Sequence, residues 1–193
     1  MELRDLYDEN KELTGETIYK GQDVPKGRYY ITVVVFIQNS KNEFLIQKRV
    51  KKKDGKWATT GGHPVSGETS NQGIITEIKE ELGVDIVKEN IKLFKTIKTE
   101  DDFVDIYYLK EDIDIKKIKI QKEEVEDVKW ATIDEMNKMY FADAVNGDDR
   151  NDGLTPASAF ATLERLNELI KNEAFSESHT EFFELCLDYL KLK

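Results

Sequence analysis

Three glutamates close together in the middle of the chain carry the clearest chemical signal of the sequence. Glu77, Glu80 and Glu81 are spaced i, i+3 and i+4, so on a helix their carboxylates project from one side. Like charges on adjacent turns repel each other, so the spacing needs a compensating partner unless the face is merely solvated. Mg²⁺ is such a partner, because it prefers carboxylate oxygens and water and commonly joins them to phosphates. The spacing therefore indicates a metal site on one flank of a helix.

The residues around the glutamates predict this helix and the loop before it. Apolar residues at Ile74, Ile78 and Leu82 lie on a different side and can pack on a sheet. The helix is expected over residues 70–82, with Ser70 as its N-cap and Gly83 as its C-terminal stop. A short strand beginning at residue 57 leads into the loop Gly-Gly-His-Pro just before it.

Stretches rich in β-branched and aromatic residues predict the strands that carry the helix. Residues 29–37 and 44–49 flank a turn-forming Asn-Ser-Lys-Asn segment and predict a β-hairpin. A shorter opening hairpin is predicted within residues 3–19. Further strands are expected at residues 91–97, 103–109 and 125–131. This order of elements predicts an α/β (α+β) fold with helices packed on a mixed central sheet.

Composition narrows the class of protein. The 193 residues carry a formal net charge of -10, which argues against a nucleic-acid surface because polyphosphate backbones are bound by clustered Lys and Arg. Cys186 is the single cysteine, so neither an internal disulfide nor a cysteine-rich zinc site is expected. No signal peptide and no apolar run of membrane-spanning length is present. A single-domain, soluble, cytoplasmic protein without a membrane partner is expected, and homodimerisation is left open.

Residues 62–84 resemble the Nudix box, written G-x5-E-x7-R-E-U-x-E-E-x-G-U with U an aliphatic residue. Gly62, Glu68 and the stretch from Glu77 to Val84 match at the correct spacing. The box arginine is the one departure, because Thr76 stands in its place. Fixed residues across two long gaps make this pattern specific. The resemblance implies the Nudix α/β/α sandwich, with the box helix and a C-terminal helix on opposite sides of the sheet.

The resemblance also implies a metal site and a reaction. Glu77, Glu80 and Glu81 would be ligands of Mg²⁺, with Mn²⁺ as a substitute, and the Gly61 carbonyl would be a further ligand. Gly62 and Glu68 would support the site. The expected reaction is attack of a metal-positioned water on a phosphorus of a small-molecule diphosphate, a nucleoside diphosphate linked to another group.

Several carboxylates are candidates for catalytic roles, including that of the general base. Glu77 and Glu81 are the candidates within the box, and Nudix enzymes also take the general base from a later loop. In this chain Glu124 is the candidate from that loop, with Glu123 as its neighbour. A charged turn before a strand would explain the second cluster equally well.

Thr76 leaves the level of activity open. The family's arginine holds a box glutamate through a charged hydrogen bond, and threonine is expected neither to reach nor to pair in that way. Either another cation substitutes and turnover is reduced, or the domain is a Nudix-fold binding module without hydrolysis. Lys48 and Arg49 are candidates for contacting substrate phosphates, although an exposed basic loop is the simpler interpretation.

His63 suggests an alternative enzymatic function. A histidine at this place resembles the Ser-His-Pro segment of isopentenyl-diphosphate isomerases, which also have the Nudix fold. Those isomerases carry a catalytic cysteine just before the segment, where this chain has Thr60, Gly61 and Gly62. His63 is therefore kept as a substrate-binding candidate, and isomerase activity as the alternative function.

The end of the chain is predicted to carry an insertion. Residues 140–163 resemble the module that opens phage tail-spike-like β-helix proteins, but no β-helix repeats follow. Helical patterns are expected before it, at residues 133–139, and after it, at residues 157–171 and 180–192. Similar apolar-Asn-charged-apolar steps at residues 136–139 and 166–169 suggest that about 140–169 interrupts one former helix.

Overall fold

The structure, a computed structural model, describes residues 2–132 together with residues 135 and 136. Residues Met1–Ile133 form one compact unit. The predicted helices and insertion within residues 137–193, and Cys186, lie outside the described residues, as does most of the helix expected at residues 133–139. The C-terminal helix layer of the sandwich therefore remains a prediction. In the part of the chain that is described, no helix is both long and apolar enough to cross a membrane.

The chain opens with a two-stranded antiparallel hairpin, as predicted. Strand β1 is Leu3–Tyr7 and strand β2 is Leu13–Tyr19. Asp8 closes the turn, because its carboxylate accepts hydrogen bonds from the backbone N–H groups of Asn10 and Glu12 at 2.9 and 3.0 Å. Lys11 takes a left-handed conformation there, with φ of 65°.

A mixed sheet forms the centre of the unit, as predicted. Its strands are β3 (Tyr30–Gln38), β4 (Phe44–Arg49), β5 (Trp57–Ala58), β6 (Thr60–Gly62), β7 (Lys92–Lys98), β8 (Asp102–Lys110) and β9 (Val125–Ala131). The main order is β5-β4-β3-β8-β7, while β6 pairs with β3 and β9 pairs with β4. Strands β3 and β8 are parallel along their whole length, and the other pairs are antiparallel.

The predicted hairpin of β3 and β4 is confirmed at its turn but not along its length. The two strands pair only at Gln38 and Phe44. The edge of β3 that a longer hairpin would use is taken by β6, which pairs with Val33, Val34 and Val35. Strand β4 instead pairs with β9 and β5.

Helix α1, Ser70–Leu82, has the predicted bounds, and Gly83 ends it in a left-handed conformation with φ of 65°. The predicted N-cap was wrong by one residue: Thr69 caps the helix in a capping box with Gln72. Ser70 follows the cap, and its hydroxyl group is within hydrogen-bond distance of the carboxylate of Asp105 and the hydroxyl of Tyr107.

The main core lies between α1 and the sheet. Three helix residues spaced four apart are fully buried and pack against the inward-facing residues of β3 and β8. They are Ile74, Ile78 and Leu82. Burial of this stripe places the adjacent flank of the helix, with Glu77 and Glu81, beside β4 and the residue that follows β6.

Candidate active site

Glu81 is buried at the inner side of the site. It belongs to the last turn of α1, and the residue is only 4% exposed. Its Oε2 atom accepts a hydrogen bond of 2.6 Å from the amide nitrogen of Gln47, and the backbone N–H of Gly61 donates a second one. The Thr60 hydroxyl donates to the other end of the Gln47 amide at 3.2 Å, which orients it. Burial nevertheless raises the pKa of Glu81 above its ordinary value.

Glu77 lies one turn earlier, against the backbone of the loop that precedes the helix. Its Oε1 atom accepts a hydrogen bond of 3.0 Å from the backbone N–H of His63. A Cβ atom placed on Gly62 would stand only 2.0 Å from that oxygen, so only glycine leaves room for the carboxylate. Burial, and then the negative charge of Glu81, raise the pKa of Glu77 to about 7. Folding thus forces two carboxylates together in a poorly solvated place.

The donor set fits a hard divalent cation. Gly61 lies opposite Val34 in the pairing of β6 with β3, and its N–H is directed to Glu81. The N–H and C=O of one residue in an antiparallel strand point to the same side, so the Gly61 carbonyl also faces away from β3. Two carboxylates and this carbonyl are oxygen donors of the kind that Mg²⁺ takes. Buried like charges gain most from such a cation.

The third glutamate is placed differently. Glu80 is exposed on α1, and its role as a ligand remains a prediction. Among the residues that the structure describes, no three His, Cys, Asp or Glu side chains converge closely enough to enclose a metal ion by themselves. A cation here would therefore complete its coordination with water or substrate oxygens, as Mg²⁺ commonly does.

Thr76 does reach a box glutamate, so that part of the expectation was wrong, although it does not supply the charged pairing of an arginine. Its hydroxyl donates a hydrogen bond of 2.8 Å to Oε1 of Glu68. The other oxygen of Glu68 accepts from the backbone N–H of Val65 at 3.1 Å, which ties the loop to the helix. This bond supplies orientation but lacks the positive charge of an arginine.

The fold brings Glu124 to the same end of the sheet. It directly precedes β9, and its carbonyl accepts a hydrogen bond of 3.0 Å from the backbone N–H of Val50 beyond the end of β4. The charge of Glu124 acts on the pKa of Glu81. Its carboxylate forms an ion pair with Lys53, while Glu123 is exposed. Proximity supports Glu124, rather than Glu123, as the carboxylate from the later loop, and its role remains a prediction.

The structure supports the three predicted substrate-binding residues less directly than it supports the glutamates. Lys48 forms an ion pair with Glu126 at 3.1 Å and Arg49 with Asp54 at 2.9 Å, so each would have to exchange partners to bind phosphate. Burial lowers the pKa of His63 to about 4, so its ring is neutral near pH 7. A neutral imidazole still offers a hydrogen bond, and these three roles remain predictions.

Sequence reasoning missed the part that the opening hairpin plays beside this site. Asp5 accepts hydrogen bonds from the hydroxyl of Ser66 at 2.6 Å and from the backbone N–H of Gly67 at 2.8 Å. The Leu3 carbonyl accepts from the backbone N–H of Ser66 at 2.7 Å. These bonds fix β1 to the loop that carries Glu68. Because the partners are some 60 residues apart, no local pattern could have revealed the contact.

Comparison with known proteins agrees with this architecture. Residues 28–151 match a sequence model of the NUDIX domain. An uncharacterized Nudix hydrolase of Listeria monocytogenes is 35% identical over 144 residues, which cover 72% of this chain and 85% of that protein. An isopentenyl-diphosphate Delta-isomerase of Pectobacterium atrosepticum is 34% identical over 83 residues, 41% of this chain and 46% of the isomerase. A solved structure from Deinococcus radiodurans has a TM-score of 0.59 at 22% identity, covering 76% of this chain and 91% of that one, and shares the fold.

Proposed function

The chain belongs to the Nudix family, and from that premise we propose that it is a Mg²⁺-dependent hydrolase of a nucleoside diphosphate linked to another group. The observation that carries the proposal is the pair of neighbouring carboxylates of Glu81, which is buried, and Glu77, which is half-buried. They lie on one flank of α1, and folding has raised the pKa of both. Such a pair gains most from a cation that a diphosphate also binds.

Glu77 and Glu81, with the Gly61 carbonyl and Glu80, would hold the cation, and Mn²⁺ would serve as a substitute. When bound, the cation would neutralise phosphate charge and lower the pKa of a water molecule. Gln47 holds Glu81 through its amide, and the backbone of His63 holds Glu77. Both carboxylates are thereby fixed before substrate arrives, which lowers the reorganisation needed for reaction.

Proton transfer would fall to a carboxylate of this group. Glu124 is the proposed base, because its charge acts on the pKa of Glu81 and its ion pair with Lys53 holds its side chain at this end of the sheet. Glu77 is the competing candidate, since a pKa of about 7 allows it to accept and release a proton near neutral pH. Lys48, Arg49 and His63 would contact the phosphates, the first two after leaving their present ion pairs.

Chromatographic separation of the reaction products would test the proposal, because cleavage of the diphosphate linkage in a nucleotide sugar gives a nucleoside monophosphate and a sugar phosphate. The substrates are nucleotide sugars, dinucleoside polyphosphates and nucleoside triphosphates, each with Mg²⁺, with Mn²⁺ and with EDTA. We expect metal-dependent cleavage of at least one nucleoside diphosphate derivative, and loss of about 10³-fold or more in Glu81→Gln, as for removal of a preorganised charged group. Glu89→Gln, an exposed glutamate beyond α1, is the matched control and should behave like the wild type.

Two outcomes would replace the proposal. Tight, metal-dependent nucleotide binding without cleavage would make the chain a Nudix-fold binding module, which the uncharged Thr76–Glu68 bond would explain. Isomerisation of isopentenyl diphosphate would favour the alternative suggested by His63 and by the Pectobacterium relative. Cytoplasmic location and homodimerisation are further predictions, which fractionation and light scattering would test.

A further inference from the structure

Arg4 occupies an inward-facing position in β1. Burial alternates along this strand, so that Arg4 and Leu6 face inward while their neighbours are more exposed. Arg4 is only 8% exposed, although arginine is almost never fully buried unless it is paired. Its aliphatic stem could pack as an apolar side chain does, but the charged head then needs a partner.

The head of Arg4 has little compensation. Its guanidinium carbon lies 5.2 Å from the centre of the Tyr30 ring, a cation–π contact. Within the described residues its one ion pair is long, 3.6 Å from Nε to the Glu2 carboxylate. The same Nε is buried and has no hydrogen-bond partner. Because Nε is enclosed, the two Nη groups are the donors that would meet an anion.

Arg4 lies beside the candidate active site. The Tyr30 ring that it covers is 5.4 Å from the ring of His63, whose backbone binds Glu77. The positive charge of Arg4 contributes to the lowered pKa of His63, which places the two groups close together. The bonds of Leu3 and Asp5 to the loop at Ser66 hold the strand in this position.

The other cations that act on His63 are already engaged. Lys20 binds the carboxylate of Glu2 at 2.9 Å, and Lys53 forms an ion pair with Glu124. Arg4 is therefore the group around His63 whose donors are least satisfied among the described residues. A phosphate oxygen suits it, because a guanidinium presents a planar fork that matches phosphate geometry.

We propose that Arg4 binds a phosphate oxygen of the substrate's diphosphate, so that the opening hairpin supplies one wall of the binding site. This inference rests on the proposed function. Arg4 lies before residues 28–151, the part that matches the NUDIX domain. The hairpin would thus add a substrate contact from outside the matched residues.

Isothermal titration of the full chain with methylenediphosphonate, in the presence of Mg²⁺, tests the role directly. This probe has the charge of a diphosphate and resists hydrolysis. We expect Arg4→Met to bind it about tenfold more weakly or worse, the loss of one charge-assisted hydrogen bond. Arg4→Lys should fall in between, because it keeps the charge and loses the fork. Arg28→Met is the matched control, since Arg28 is paired with Glu16 on the same hairpin at 2.6 Å, and should bind like the wild type.

Thermal melting separates binding from packing. Methionine keeps the apolar stem and removes a poorly paired buried charge, so the Tm of Arg4→Met should be equal to or above that of the wild type. Unchanged affinity of Arg4→Met for the probe overturns the inference. Should Arg4→Met not fold, unchanged affinity of Arg4→Lys has the same meaning. In steady-state assays on a cleaved substrate, KM should rise more than kcat falls.

The outcomes distinguish this inference from the proposed function. Cleavage of substrate together with probe affinity that does not depend on Arg4 would reject the role of Arg4 and leave hydrolysis standing. Probe binding that depends on Arg4 in a chain that cleaves nothing would reject hydrolysis and support the phosphate contact. Absence of both cleavage and probe binding in the wild type would reject both.

Discussion

Gly62→Ala is the sharpest steric test of the site. The added Cβ would stand 2.0 Å from Oε1 and 2.3 Å from Cδ of Glu77, whereas ordinary contacts begin near 3.4 Å. The Glu77 carboxylate must therefore withdraw by more than 1 Å and give up its bond to the backbone of His63. Displacement of about 1 Å at a reacting centre costs on the order of 10²-fold in rate. Because Gly62 does not have positive φ and the clash is with the end of a side chain, the fold should tolerate alanine.

The measurements are kcat on a cleaved substrate and Mn²⁺ affinity by titration, with the free energy of unfolding determined in urea. Gly67→Ala is the matched control in the same loop. Nothing lies within 4 Å of a Cβ there, but its φ of +91° strains any other residue, so this variant should lose about 1 kcal/mol of stability and keep its activity. Should Gly62→Ala retain both kcat and Mn²⁺ affinity within twofold, the position of Glu77 would not be what the site depends on.

Four other perturbations bear on the same structure. In the presence of EDTA, the free energy of unfolding should fall by up to about 3 kcal/mol between about pH 4.5 and 7. The cause is Glu77, whose pKa is about 7 in the folded state instead of 4.5. The folded state therefore keeps a proton that the unfolded state releases. His63 has a pKa of about 4 instead of 6.5, so it raises the free energy of unfolding as the pH rises from 4 to 6.5. Urea unfolding of the wild type must therefore be compared with that of Glu77→Gln, which should lack the fall. Thr76→Arg should raise kcat by restoring charge beside Glu68, and an unchanged kcat would show that the hydroxyl bond suffices. Asp105→Asn should cost about 3 kcal/mol in urea, since Asp105 is buried and paired with Lys11 at 2.5 Å, while the exposed Asp101→Asn should not. Joining Met139 to Ile170 should leave a cooperative melt and metal binding, and aggregation would reject the hypothesis of an insertion.

The fold was predictable where the signal is local. Helix α1 and strands β7 to β9 have nearly the predicted bounds, because apolar periodicity, caps and β-branched runs coincide there. Strand β6 was not recognised, since Thr-Gly-Gly has no strand propensity and forms only by pairing with β3. The cap shifted from Ser70 to Thr69 because two adjacent hydroxyls are equal candidates. Gln72 and a contact of Ser70 with Asp105 on β8 decide between them.

The residues of the site, like the fold, were predictable only where the signal is local in sequence. The motif predicts which glutamates share a flank of the helix and that the loop must contain glycine. It does not predict Gln47, which binds Glu81 from 34 residues away, nor Arg4. Both have a weak signal in hindsight, because each is a polar residue two positions from a buried leucine on the same side of its strand, Leu6 for Arg4 and Leu45 for Gln47. Such positions are worth testing as site residues whenever a neighbouring loop carries the chemistry.

The two neighbouring carboxylates are not equivalent, and the difference has consequences for function. Glu81 receives donors from Gln47 and Gly61, whereas Glu77 receives one from His63 and also faces the charge of Glu81. Burial, and then the charge of Glu81, therefore raise the pKa of Glu77 to about 7. A cation bound by this pair would favour the ionised form of Glu77, so its binding would be linked to pH and would relieve a repulsion that folding alone leaves in place. The same crowding that weakens the metal-free protein would then favour the metal-bound form, so that stability would be exchanged for metal affinity at one residue.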